Sequence, residues 1–198
     1  MYSSSYFHRH RGTISLRGQR RQLARIFRAE SWRSSISVLT KVQLYRTYIQ
    51  PVLLYGSETW ALTRALLDKV DAFDNICLRR ILRIPYVDHV ANATVRLRAG
   101  SPLQLSQLIQ RSWLRLFGHV ARMDASLDIS RALKMSIRGL PIEWKRLPGR
   151  PRHTWLRTLG ADLQPHNHGL NSAWRCAQDR EHWKHLVETA TLQLRACA

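Results

Sequence analysis

The chain has 198 residues, of which 44% are hydrophobic, so it can bury the core of one domain or of two small ones. No apolar run approaches the roughly 20 residues of a membrane span, and the N-terminus lacks the apolar stretch of a signal peptide. We therefore expect no membrane partner. The scattered cysteines Cys77, Cys176 and Cys197 are typical of a reduced intracellular protein, so a nuclear or cytoplasmic location is predicted rather than secretion.

Positive charge dominates the composition. Lysine and arginine number 32 against 13 aspartates and glutamates, which gives a formal net charge of +19. The excess is +8 over residues 1–43, +3 over 44–99, +8 over 100–160 and zero over 161–198. Most of the cations are arginines, whose planar guanidinium groups pair with two phosphate oxygens at once. A polyanion such as RNA or DNA is therefore the predicted partner.

The N-terminal region divides into two parts. Residues 1–19 are rich in Ser, Arg and His, show no sustained hydrophobic period and are predicted to be a disordered basic tail. Residues 20–33 alternate apolar and basic residues at helical spacing, which predicts a short basic helix. Its inward face would carry Leu23, Ile26, Phe27 and Trp32.

The first long helix is predicted over residues 41–54, where apolar residues recur at steps of three and four. Thr40 is the predicted N-cap. Pro51 should kink the helix because it cannot donate a ladder hydrogen bond, and Gly56 should end it in the left-handed conformation. The apolar stripe comprises Val38, Val42, Tyr45, Ile49 and Val52.

A second helix is predicted over residues 64–83, with Thr63 as its cap and Pro85 just beyond its end. The short connection to the first helix predicts an antiparallel pair. A repeated aspartate spacing on this helix, at Asp68, Asp71 and Asp74, is interpreted as a solvated face with local ion pairs. The apolar stripe comprises Leu66, Val70, Phe73, Cys77 and Ile81.

The third long helix, predicted over residues 103–123, carries two stripes. One is apolar and should face a core, and the other is basic and should face solvent. Gly118 lies in the middle of the helix, which predicts close packing of a neighbour there. The apolar stripe comprises Leu105, Ile109, Trp113, Leu116, Val120 and Met123, and the basic stripe comprises Arg111, Arg115 and Arg122.

The remaining elements are shorter. Asn92 is predicted to cap a helix that runs through Leu97, and a further helix is predicted from Asp128 to Gly139. No alternating pattern of useful length predicts a strand, so the fold class is all-α: an antiparallel helical bundle followed by a smaller C-terminal helical region. The predicted domains are a tail over 1–19, a helical domain over 20–138, a basic Pro/Gly linker over 139–152 and a C-terminal region over 153–198. The C-terminal region is predicted to contain a helix at 152–163 and one or two helices at 171–195.

Five ordered segments carry a family resemblance. LYRTYIQPVLLYGSETWALT at 44–63 resembles the segment that follows the palm in reverse transcriptases of non-LTR, LINE-type retrotransposons, where the chain enters the helical thumb. Four further segments agree with the same family in the same order. They are CLRRILRIP at 77–85, LRLFGHVARMD at 114–124, GRPRHTWLRTLGADL at 149–163 and AWRCAQDREHWKHLV at 173–187.

The resemblance implies a thumb and C-terminal region without the catalytic palm and endonuclease domain. Polymerase chemistry needs two metal ions held by clustered carboxylates, and this sequence contains no Asp-Asp pair. We therefore expect no enzymatic activity, no catalytic residue, no cofactor and no resident metal. The retained role would be sequence-independent contact with the nucleic-acid backbone. The candidate contact residues are Arg79, Arg80, Arg83, Arg111, Arg115, Arg122, Lys145, Arg146, Arg150 and Arg152.

Other interpretations of single motifs stay open. The C-terminal set His166, His168, Cys176, His182 and His185 could hold zinc, although its spacing matches no common finger. Residues 148–152, PGRPR, resemble the core of an AT-hook or form a basic linker that contacts phosphates, and with the preceding KR they could serve as a nuclear import signal. A protein-interaction module with exposed apolar helix faces, and a translated remnant without a selected role, are the alternative functions.

Overall fold

The computed structural model describes residues 35–100, 103–139 and 154–193. Within these ranges every regular element is helical and no strand occurs, which confirms the all-α class. The predicted tail, the helix at 20–33 and residues 140–152 of the linker lie outside the described residues. The α-helices are α1 (Val38–Leu44), α2 (Gln50–Leu53), α3 (Arg64–Leu82), α4 (Asn92–Arg98), α5 (Leu105–Ala121), α6 (Asp128–Arg138), α7 (Trp155–Leu163), α8 (Leu170–Cys176) and α9 (Arg180–Gln193).

The chain divides into two compact units, one up to Leu53 and one from Leu54 onward. The three long helices lie where the apolar stripes predicted them, within three residues at each boundary. The antiparallel pairing of the first two helices and the domain division at 139–152 stay predictions. None of the described helices is long and apolar enough to cross a membrane.

In the first unit, the distortion predicted around Pro51 takes the form of a π-helical turn. Residues Tyr45–Ile49 form this turn between α1 and α2, and the Gln50 amide donates to the Tyr45 carbonyl five residues back. Widening the helix just before Pro51 relieves the clash of its ring with the preceding turn. The predicted cap is wrong, because the Ser37 hydroxyl accepts from the Thr40 amide at 3.2 Å and the helix begins at Val38.

Near the start of the second unit, Gly56 takes the left-handed conformation, with φ at 69°, as predicted for the end of the first helical segment. Thr63 is the N-cap position of helix α3, but its backbone carbonyl, and not its hydroxyl, accepts hydrogen bonds there, from the Leu66 and Leu67 amides. The helix ends at Arg83, which takes the left-handed φ of 55° usually found at glycine. The Ile84 amide then donates to the Arg79 carbonyl at 3.0 Å and closes the end.

Helix α5 is the centre of the second unit. It packs against α3, α6, α7 and α9, and its inward face is fully buried. The Trp113 indole nitrogen donates to the Ser57 carbonyl at 2.8 Å, so the helix also holds the turn that opens the unit. The fully buried side chains of α5 are Leu105, Ile109, Trp113 and Phe117.

The predicted close packing at Gly118 is confirmed. The Trp183 indole of α9 lies directly against Gly118, where a Cβ atom would overlap the indole nitrogen. This contact lets the Trp183 indole nitrogen donate to the Leu114 carbonyl at 3.0 Å. Phe117 lies beside the same indole, with ring centroids 5.5 Å apart. A small residue at 118 thus sets the separation of α5 and α9.

Two aspartates attach neighbouring helices to α5. Asp71 of α3 accepts from the Ser106 amide at 2.9 Å and from the Ser106 hydroxyl at 2.6 Å, so it satisfies a free amide in the first turn of α5. Asp162 of α7 accepts from the Gln110 side chain at 3.1 Å. Burial raises the pKa of Asp162 to about 6, and the hydrogen bond from Gln110 and the charge of Arg64 oppose this shift only in part.

Replacing Gly118 by Ala should destabilise the protein. The new methyl group must displace the Trp183 indole, and overpacking of this kind costs about 1–3 kcal/mol, whereas Ala gains about 1 kcal/mol over Gly in a helix interior. We expect a net loss on the order of 1 kcal/mol in the free energy of unfolding, measured by urea denaturation.

Gly160→Ala is the matched control, because its Cβ would meet only the Leu170 side chain, at 3.8 Å and in ordinary contact. This variant should be neutral or slightly stabilised. Equal stability changes in the two variants would contradict the close approach of Trp183.

Asp162→Asn should alter the pH dependence of stability. Between pH 3.8 and about 6 the folded protein keeps a proton on Asp162 that the unfolded chain has released. The free energy of unfolding therefore falls as pH rises through this window. The variant cannot titrate, so its stability relative to the parent should rise by about 2–3 kcal/mol between pH 4 and pH 7.

Urea denaturation at pH values from 4 to 7 measures this difference, and it cancels any constant cost of the amide. Asp128→Asn is the control, because Asp128 forms only an exposed ion pair with Arg131 at 3.4 Å. A parent-minus-variant difference that does not change with pH would show that Asp162 ionises normally.

Candidate nucleic-acid interface

A groove of about 280 Å³ runs between α5 and α9, and we call it the basic groove. The basic stripe predicted on α5 forms one wall, and the first two turns of α9 form the other. Its lining residues are Arg111, Arg115, Arg122, Arg180, Trp183, Lys184, Val187 and Glu188. The structure therefore brings three of the predicted contact residues together and adds two cations, Arg180 and Lys184, that sequence analysis missed.

The three arginines of the basic stripe differ in burial and in hydrogen bonding. Arg115 is exposed, whereas Arg111 is half-buried, with its Nε atom shielded and without a partner among the described residues. Arg122 ends the helix, and its guanidinium donates to the Ala177 carbonyl at 2.8 Å. This bond leaves the other guanidinium nitrogens of Arg122 available for a ligand. Arg115 and Arg111 are thus the free members of the stripe, and Arg122 is partly a structural residue.

The wall on α9 depends on a capping aspartate. The Asp179 carboxylate accepts from the amides of Glu181 and His182 at 3.0 and 3.2 Å, so it begins α9 at Arg180. Arg180 and Lys184, four residues apart, then lie on the face that turns toward α5. Their spacing of one turn could have suggested a paired contact, but nothing in the sequence indicates that they face α5.

The electrostatic field of the groove is one-sided. Five cations line it, and Glu188 is the one carboxylate among its lining residues. The apolar side chains of Trp183 and Val187 also line the groove, so the positive charges lie beside a surface of low dielectric constant. Field lines concentrate in such a groove and raise the local concentration of anions. This arrangement can bind a chain of phosphates.

The predicted contact residues of α3 lie elsewhere. Arg79 is half-buried, and its guanidinium donates to the Val90 carbonyl and, at 3.1 Å, to the Asn92 side chain. It therefore fixes the start of α4, and Asn92 accepts this bond instead of capping the helix as predicted. Arg80 and Arg83 are exposed and do not line the basic groove. The predicted residues Lys145, Arg146, Arg150 and Arg152 lie outside the described residues.

The aspartates repeated along α3 do not share one environment. Asp68 pairs with Arg64 at 3.3 Å, as predicted for a solvated face. The same prediction is wrong for Asp71, which accepts from Ser106, and for Asp74, which is fully buried. Within the described ranges no three His, Cys, Asp or Glu side chains gather as a metal site.

The C-terminal histidines and Cys176 all lie among the described residues and are not gathered as a metal site. Burial, followed by the charge of Asp179, raises the pKa of the Cys176 thiol, and burial lowers the pKa of His166. A thiol that stays protonated is a poor nucleophile.

Several apolar side chains of the first helical segment are exposed. Leu39 and Tyr48, in the first unit, are 80% and 66% exposed. Val52 of the same unit, predicted to belong to a buried stripe, is also exposed, whereas Val42 and Ile49 are buried. The apolar stripe of the first helical segment is therefore only partly covered in the described chain.

Comparison with known proteins gives one informative likeness. No family model matches the chain, and no solved structure matches it either. A transposon-derived protein of Caenorhabditis elegans, itself uncharacterized, is 25% identical over 160 residues, which cover 76% of this chain and 55% of that protein. The chain thus spans about half the length of this curated relative. The likeness supports a transposon origin.

Proposed function

We propose that this chain is a non-catalytic segment of a non-LTR retrotransposon reverse transcriptase, and that it binds the nucleic-acid backbone without reading base sequence. The basic groove is the observation that carries the proposal. Five cations against one carboxylate suit a polyanion, and guanidinium groups suit phosphate oxygens in particular. The transposon-derived relative and the five ordered segments support the assignment to a mobile element.

The spacing of the groove cations fits a backbone. Arg111 and Arg115 lie four residues apart on α5, as Arg180 and Lys184 do on α9, and one helical turn rises ~5.4 Å. Cations at such intervals on facing walls can follow successive phosphates of one strand. The proposed contacts are to phosphates, which position a strand but carry no sequence information directly, so the proposed binding is independent of sequence.

The proposed segment performs no polymerase chemistry by itself. We expect the purified chain to extend no primer on an RNA template with magnesium or manganese, because its sequence contains no Asp-Asp pair. The assay is incorporation of labelled nucleotides. Template-dependent incorporation that a point change in this chain abolishes would contradict the non-catalytic assignment.

Removing three free groove cations should reduce the salt dependence of binding. In the triple variant Arg115→Gln, Arg180→Gln and Lys184→Gln, three phosphate contacts are lost. The negative slope of log K against log salt should then become less steep by about 2–3 on B-form duplex, because each contact contributes roughly −0.9 to it. Fluorescence anisotropy across a salt series measures the slope, on duplex DNA and on an RNA–DNA hybrid.

A second triple variant separates the groove from net charge. Lys69, Arg98 and Arg157 are exposed and lie outside the groove, so changing them to Gln removes the same charge with little effect on the slope. If both triple variants lose the same slope, the binding follows net charge and the groove is not the contact surface. If neither variant loses any slope, the groove makes no phosphate contacts, and a protein partner on the exposed apolar side chains of the first unit becomes the better account.

A further inference from the structure

A second cleft lies between α6 and α8 and differs in chemistry from the basic groove. It encloses about 260 Å³, just below the roughly 300–1,000 Å³ of sites for drug-sized ligands. Three cations, an amide, an aliphatic side chain and an indole line it, and none of the lining residues is acidic. We call it the Trp174 cleft; its residues are Lys134, Ile137, Arg138, Asn171, Trp174 and Arg175.

Helical spacing creates both walls. On α6, Lys134 and Arg138 lie four residues apart in the last turns before Gly139, which ends the helix with φ at 103°. On α8, Asn171, Trp174 and Arg175 lie three and four residues apart and therefore share one face. The buried Ala173 anchors the other face of α8. Packing thus holds the two sets opposite each other.

The cations of this cleft are not neutralised by the described protein. Within the described ranges the ion pairs are Arg64–Asp68 and Arg131–Asp128, and neither includes a residue of the cleft. Placing three like charges around a small concave space costs free energy, which a bound anion would recover. The cleft therefore favours a negatively charged ligand.

The indole adds a second requirement. Trp174 is half-buried and meets Phe117 nearly at a right angle, with an interplanar angle of 86° and centroids 6.1 Å apart. A perpendicular contact covers at most one face of the indole. The cleft thus combines an aromatic surface with cations, and that combination binds nucleotides of single strands, whose bases stack while their phosphates pair.

We propose that the Trp174 cleft holds one unpaired nucleotide of a single strand, with its base against Trp174 and its phosphates on Lys134, Arg138 and Arg175. Asn171 offers both a donor and an acceptor to the edge of the base. The proposal deepens the proposed function, on which it rests, by naming a single-stranded segment as part of the bound nucleic acid. In a duplex, neighbouring bases cover each base face, so only an unpaired base can stack on the indole.

The test compares two oligonucleotides of equal charge with the full chain. One is a single-stranded thymidine octamer, and the other is an abasic octamer with the same number of phosphates. The octamer with bases should bind at least about 5-fold more tightly, since stacking of one base on an aromatic side chain is worth that factor or more. Equal affinities for the two octamers would overturn the proposal.

Variants locate the effect. Trp174→Leu should reduce the affinity ratio of the two octamers to about one and leave the salt slope unchanged, whereas Trp174→Phe should keep most of the ratio, because a phenyl ring still stacks. Thermal melting checks that the Leu variant is folded. A ratio that survives Trp174→Leu would show that the base binds elsewhere and would overturn the assignment to this cleft.

A second variant keeps the test valid if the Leu variant does not fold. Lys134→Gln with Arg138→Gln should lower the salt slope on the octamer by about 1.4, at roughly 0.7 for each phosphate of a single strand, and leave the slope on duplex unchanged. An unchanged slope on the octamer would overturn the role of the two cations. Displacement of the octamer by polyglutamate at equal phosphate and carboxylate concentration would identify an acidic peptide as the ligand instead.

The two proposals fail separately. The groove variant with Arg115, Arg180 and Lys184 changed should lose salt slope but keep the affinity ratio of the octamers. If the groove variant keeps its slope while the ratio of the parent stays high, backbone binding by the groove is wrong and the Trp174 cleft stands. If the groove variant loses slope and the parent binds both octamers equally, backbone binding by the groove stands and the assignment to the Trp174 cleft is wrong.

Discussion

The packing of the second unit depends on the contact between the Trp183 indole of α9 and Gly118 of α5. Trp183 lies on Gly118 and donates to the Leu114 carbonyl, so α9 approaches α5 in a position that a side chain at residue 118 would block. That approach brings Arg180 and Lys184 opposite Arg111 and Arg115. The repulsion among these cations opposes the same approach, and the buried contacts of Trp183 with Phe117 and Leu114 offset it. The packing of one aromatic side chain therefore stabilises a charge arrangement that is unfavourable by itself.

Periodicity predicted the elements well because it records which face of a helix is buried. The spacing of residues within each helix predicted the three long helices. It also predicted the role of Gly118 and the common face of Arg111, Arg115 and Arg122. Spacing does not record what lies opposite that face. Arg180 and Lys184 complete the groove from a helix that begins about 60 residues after α5 ends, and the sequence contains no pattern that joins the two.

The same limit explains the errors on polar residues. Three aspartates of α3 recur every three residues but have different environments. Asp68 forms an ion pair, Asp71 accepts from the N-terminus of α5, and Asp74 is buried in the core. Asp71 reaches Ser106, 35 residues away, and Asp162 reaches Gln110, 52 residues away. A hydrogen bond of this kind depends on tertiary packing and has no local signature. Local rules were also insufficient at the first helix, where Ser37 and Thr40 are both good caps and the structure uses the earlier one.

Net charge by segment hid the most informative feature of the chain. Residues 161–198 have a net charge of zero, yet this segment supplies Arg180 and Lys184 to the basic groove and Arg175 to the Trp174 cleft. The acids and the cations of this segment lie in different environments. Asp162 is buried against Gln110, Asp179 caps α9, and Glu188 alone faces the groove. Glu181, the fourth acid of the segment, is exposed and does not line the groove. Only one of the four carboxylates therefore lies in the basic groove, so a neutral segment contributes positive charge to it. The groove presents charge beside apolar side chains and suits a backbone, whereas the cleft adds an indole within reach of a base. A strand that occupied both would be held by its phosphates at one site and by an unpaired base at the other.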